Sequence, residues 1–132
     1  MTLACSAAFA TPVLVGAMAL SGNAPANPSP QPRAVAAVSS HVQVTQVEYR
    51  LTLSRGVVNA GRVSLEAIDR GMDPHDLRVR ALGSDQEVAL PQLTPGQRWD
   101  GVVSLRPGVY SLWCSLPEHA KLGMRATLTV VR

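Results

Sequence analysis

Apolar residues alternate with polar ones through most of the chain after His41, the signature of β-strands with one face buried. In HVQVTQVEYRLTLS, Val42 and Val44 form one set and Val47, Tyr49, Leu51 and Leu53 form another. The phase slips by one position between them, which predicts a bulge near Thr45-Gln46. GRVSLEAID places Val63, Leu65 and Ala67 on one face against Arg62, Ser64 and Glu66 on the other. Arg70-Gly71-Met72-Asp73-Pro74 is a turn cluster, and HDLRVRAL after it sets His75, Leu77, Val79 and Ala81 opposite Asp76, Arg78 and Arg80, which are expected to face water.

Leu90–Gly96, with two prolines and a glycine, reads as loop. Trp99, Val103 and Leu105 predict a strand that ends at the turn Arg106-Pro107-Gly108. Tyr110, Leu112 and Cys114 share a face in the next strand, as do Met124, Ala126, Leu128 and Val130 in the last. Short alternating strands separated by turn signals predict an all-β fold, a Greek-key antiparallel β-sandwich. No internal repeat interrupts this pattern, and no long stretch has helical periodicity.

Upstream the pattern changes. Residues 3–20 carry no charge and are rich in Ala, Val and Leu, as in the apolar region of a secretory signal. Small-residue cleavage patterns follow at Ala17-Met18-Ala19 and Ala24-Pro25-Ala26, so residues 1–26 are read as a signal peptide. The alternative is an uncleaved anchor, for which the run is short. Residues 27–40, poor in large apolar side chains, read as a flexible Pro/Ala/Ser-rich linker, and residues 41–132 as the folded domain. The expected localisation is therefore exported, periplasmic or extracellular, with membrane attachment only through an uncleaved N-terminus.

Composition adds two points. The first charged residue is Arg33, so the net charge of +3 belongs wholly to the part after the signal. The charges are interspersed, with no basic stripe or stacked aromatics, which sets nucleic acid aside as a partner. Of the two cysteines, Cys5 lies in the signal in a poor lipid-attachment context. Cys114 is then the single thiol of an exported protein, where lone thiols tend to be oxidised or paired. A metal that holds its sulfur as thiolate accounts for its persistence; an inert buried cysteine is the plainer account.

The chemistry concentrates in GVYSLWCSLPEHAKLGM, where four residues separate Cys114 from His119 and four separate His119 from Met124. Strand phase turns His75, Cys114 and Met124 inward, and the loop SLPEHAKLG carries His119 to the same end of the sandwich. Singly, each is an ordinary turn or core residue. Together they form a His2Cys set with a thioether, the ligand type of blue copper sites with a weak axial Met. Zinc is the rival metal, but it gains little from a thioether and its structural sites favour more thiolates. The reading is one type 1 copper ion held by His75, Cys114, His119 and Met124, with Pro117 and Gly123 shaping the loop.

These residues resemble the cupredoxin family, the plastocyanin, azurin and auracyanin group of blue copper proteins. The resemblance covers roughly His41–Arg132 and rests on DPHDLRV, on the Leu-x-Pro-Gly pairs LTPG and LRPG, and on GVYSLWCSLPEHAKLGM. It implies an eight-stranded Greek-key sandwich with copper near one end, ligated by the same four residues. It also implies an electron port at the edge of His119, where Leu116, Pro117, Ala120 and Leu122 would form the docking patch for redox protein partners. One departure concerns Asp76: family members often have Asn there, which donates a hydrogen bond towards the thiolate, and an ionised Asp cannot.

The expected function is that of an exported carrier of single electrons rather than a catalyst. The competing reading is copper handling (storage, delivery or sensing), which usually brings Met- or His-rich tracts; beyond the candidate ligands the mature chain has only Met72 and His41. That inventory also leaves too few histidines for a catalytic copper site. A metal-free adhesion sandwich leaves Cys114 unexplained.

Overall fold

The computed structural model describes residues 37–132; the expected signal and the linker up to residue 36 lie outside the described residues. The strands are β1 (Val38–Val47), β2 (Arg50–Leu53), β3 (Val57–Asn59), β4 (Gly61–Asp69), β5 (Arg78–Ala81), β6 (Glu87–Ala89), β7 (Arg98–Leu105), β8 (Gly108–Trp113) and β9 (Arg125–Val131). They form a four-stranded sheet ordered β2-β1-β4-β7 and a five-stranded sheet ordered β3-β9-β8-β5-β6. Among the described residues no helix is long and apolar enough to cross a membrane.

The all-β sandwich is as expected, and β4 spans the very residues whose alternation predicted it, with Val63, Leu65 and Ala67 buried. Tyr110, Leu112 and Cys114 likewise enter the core from β8 and its end. Tyr110 also closes the β7–β8 turn: its hydroxyl accepts from the Arg106 amide and donates to the Arg106 carbonyl, both at 3.0 Å. The apolar layer between the sheets joins these residues to Val42, Val44, Leu77, Val79, Leu128 and Val130.

Four expectations about the strands need correction. The sheets are mixed, not purely antiparallel: β1 pairs parallel with β4, and β3 parallel with β9. Hairpin neighbours must be antiparallel, but the chain passes from β1 to β4 through β2 and then β3 in the other sheet, a path long enough to re-enter in the same direction. The described residues form nine strands rather than the eight the resemblance implies; β3 and β6, three residues each, are too short to show a period in the sequence. β1 starts at Val38, inside the segment read as linker.

The fourth correction concerns the phase slip. No bulge lies at Thr45-Gln46; β1 keeps its phase, and Gln46 takes the next inward position, fully buried. The slip comes from a two-residue hairpin, Glu48-Tyr49, which pairs Val47 with Arg50 and Gln46 with Leu51. Gln46 resides in the core because its Nε2 donates to the Asp76 carbonyl at 2.8 Å, satisfying a donor that would otherwise be costly to bury. Asp76 in turn is buried rather than facing water.

Candidate metal centre

Two segments bring the candidate ligands together. β8 runs to Trp113 and delivers Cys114, fully buried, at its end. The chain then loops through Ser115–Gly123 and returns at Met124, also fully buried, immediately before β9. Backbone bonds close this loop: the Cys114 amide donates to the Met124 carbonyl at 3.2 Å and the Met124 amide to the His119 carbonyl at 3.0 Å. Gly123 permits the return with φ of 110°, a conformation side chains disfavour. The loop winds in tight turns rather than a helix, with Leu122 N–H donating to Glu118 carbonyl at 2.9 Å.

His75 arrives from the segment between β4 and β5. Its amide and carbonyl form a two-bond bridge with Leu93, at 3.0 and 2.7 Å, which fixes the backbone in extended form. The ring is completely buried.

The three side chains converge. His75 Nδ1 lies 3.2 Å from His119 Nδ1, and Cys114 Sγ lies 3.5 Å from the same atom. All three potential donor atoms fall within 4.8 Å of one another. The two imidazoles meet edge to face, with centroids 5.2 Å apart. His119 is half-buried, so one side of the cluster reaches the surface.

Asp76 ties the two ligand segments to each other across 39 residues. Its carboxylate accepts from the Ser115 amide at 2.5 Å, from the Ser115 hydroxyl, and from Arg78 Nε at 3.2 Å. Burial pushes its pKa up, but the donors from Ser115, Cys114 and Arg78 outweigh burial and hold it below the ordinary carboxylate value. Cys114 goes the other way. Burial raises its thiol pKa, and the Asp76 charge adds to the rise, while the amides of Asp76 and Leu116 pull it back. A cation in the cluster would reverse that balance by holding the sulfur as thiolate.

The sequence missed Glu48. Its Oε1 accepts from the amides of Met72 at 2.5 Å and Asp73 at 2.7 Å, and lies 3.2 Å from His75 Nε2. The Asp73 amide is the largest cause of a pKa lowered to about 2, with the bonds from Met72 and His75 adding to it. Tyr49, read as a core-facing strand residue, instead sits half-exposed in the hairpin against the His119 ring, with centroids 5.0 Å apart at 74°. No local pattern marks either residue, because their partners lie in distant segments.

The donor set fits one type 1 copper: two imidazoles, one thiolate source, and a buried thioether that follows the loop. The mix of borderline and soft donors suits copper better than zinc, and Cys114 is the only cysteine among the described residues.

No family model and no curated protein matches the chain. Solved structures do. Reduced auracyanin from Roseiflexus castenholzii is 15% identical, with TM-score 0.58, over 74% of this chain and 100% of that one. Reduced rusticyanin is 17% identical, with TM-score 0.58, over 73% and 82%. A purple cupredoxin from Nitrosopumilus maritimus is 20% identical, with TM-score 0.50, over 67% and 98%. The chain therefore has the cupredoxin fold, the one its sequence resemblance implied.

Proposed function

We propose that this protein is an exported blue copper protein that carries single electrons between redox partners. The observation that carries the reading is the convergence of His75, Cys114 and His119 donor atoms within 4.8 Å beside the buried Met124, on a cupredoxin fold. Copper bound there would supply a one-electron couple, Cu(II) to Cu(I), with the Cys114 sulfur as the covalent path for the electron.

The remaining roles belong to the protein. The loop's backbone bonds and the Asp76–Ser115 tie hold the donors close before any ion enters, so a change of oxidation state needs little rearrangement. Burial of Cys114, His75 and Met124 excludes water from the ligands. His119, half-buried, offers the exit, and Leu116, Pro117, Ala120 and Leu122 around it form the proposed docking patch for partners, with Leu122 57% exposed. Export rests on the uncharged run of residues 3–20.

The test is a visible and EPR titration of the purified, reduced protein with Cu(II). An intense thiolate-to-copper band with narrow hyperfine splitting, saturating at one equivalent and absent in Cys114→Ser, is the expected result. A colourless protein that prefers zinc would sink the reading. Blue protein that exchanges electrons only sluggishly with redox proteins would favour copper handling instead.

A further inference from the structure

The β1–β2 hairpin touches both imidazoles of the cluster through consecutive residues, Glu48 on His75 and Tyr49 on His119. Glu48 makes the more consequential contact. An ionised carboxylate only accepts hydrogen bonds, and its Oε1 already takes two, from the amides of Met72 and Asp73. The ring nitrogen 3.2 Å from it must therefore be the protonated one, which makes Nε2–H the donor. Neutral imidazole carries one ring proton, so Nδ1 is left with a free lone pair. That atom is the one 3.2 Å from His119 Nδ1, facing the donor cluster.

The surroundings leave room for this arrangement. A Cβ on Gly71 would collide with the Glu48 carboxylate, so glycine at that point leaves the carboxylate its place beside His75. The His75 side chain is wholly buried and that of Glu48 22% exposed, so water reaches the carboxylate from its outer side but not the ring it faces.

Resting on the copper reading above, we propose that Glu48 is a positioning residue of the metal centre. It fixes His75 in the one tautomer that presents Nδ1 to the metal, and its charge favours the oxidised over the reduced ion. The couple it biases is Cu(II) plus one electron giving Cu(I). No proton leaves in that step, because the Nε2 proton stays on the ring, shared with the carboxylate. Partners that orient ligating histidines in this way are worth about 10–100-fold in metal affinity.

Two variants separate tautomer from charge. Glu48→Gln keeps an oxygen that accepts Nε2–H and removes the charge; Glu48→Ala removes both. Long-range proton–nitrogen NMR of the copper-free protein, above the imidazole titration range, reads the tautomer without any metal. Wild type is expected to show His75 as a single Nε2–H tautomer, retained in Glu48→Gln and lost in Glu48→Ala. Copper titrations of Glu48→Gln should show Cu(II) affinity falling about tenfold while Cu(I) affinity holds. That ratio corresponds to a reduction potential about 59 mV higher.

A wild-type His75 protonated at Nδ1, or a Glu48→Gln potential equal to or below that of wild type, would overturn the proposal. Should Glu48→Ala fail to fold, wild type and Glu48→Gln decide it alone. A fixed Nε2–H tautomer in a protein that takes up no copper would refute the function proposed above while supporting the orienting role of Glu48.

Discussion

Asp76 has three donors on its carboxylate and almost no contact with solvent, an arrangement only an ionised group sustains. In Asp76→Asn the amide NH2 must replace one acceptor oxygen, so it faces Ser115 or Arg78 donor to donor. Hydrogen bonds to charged groups contribute about 1.5–3 kcal/mol each, and we expect a loss of that size in urea unfolding of the copper-free protein. The pH dependence has a definite sign. The folded-state pKa of Asp76 is lowered, so its contribution is full above the ordinary carboxylate value and is lost as pH falls through the folded one. Asp76→Asn should flatten that part of the acid limb. It should also raise the reduction potential of the copper form, since a negative charge beside Cys114 disappears. An unchanged acid limb in the variant would mean that the carboxylate is not ionised in its bonds to Ser115.

The β1–β2 hairpin and the Arg70–Pro74 turn act on the site as one element, because the Glu48 carboxylate joins them. Gly71→Ala tests that coupling. The added methyl meets the far end of a flexible side chain, so the carboxylate moves and the backbone stays. We expect about 1–3 kcal/mol lost in stability, because the displaced carboxylate gives up its bonds from the Met72 and Asp73 amides, together with loss of the fixed His75 tautomer, as in Glu48→Ala. A tautomer that survives in Gly71→Ala would show that the turn is irrelevant to His75. This element also marks where the sequence stops being legible. Alternation placed β4, β8 and β9 and the faces of His75, Cys114 and Met124, because apolar periodicity is local information. It misread Gln46 as a bulge, Tyr49 as core and Asp76 as exposed. In each case a polar or amphipathic residue is held by a partner dozens of positions away, such as the 30 between Gln46 and Asp76, which no window on the sequence contains.

The whole molecule sets how binding and folding combine. The apolar layer between the sheets extends from the ligand pole to Leu105 and Tyr110 at the β7–β8 turn, so most of the core is independent of any metal. Unlike a small zinc module that is unfolded without its ion, the copper-free domain should be folded and unfold cooperatively. Copper bound at the proposed site would join His75 to the Cys114–Met124 loop and add the free energy of binding the folded state alone. At about 100-fold excess of free ligand over Kd that is roughly 2.7 kcal/mol. For a domain of this size it raises Tm by about 10–20 °C. Calorimetry of the copper-free, copper-loaded and Cys114→Ser proteins measures this directly. The shift should appear on loading, reverse when the copper is removed, and be largely absent in Cys114→Ser. A copper-free protein lacking near-ultraviolet circular dichroism would show that the core needs the ion. An equal shift in wild type and Cys114→Ser would place the stabilising copper somewhere other than the cluster of His75, Cys114 and His119.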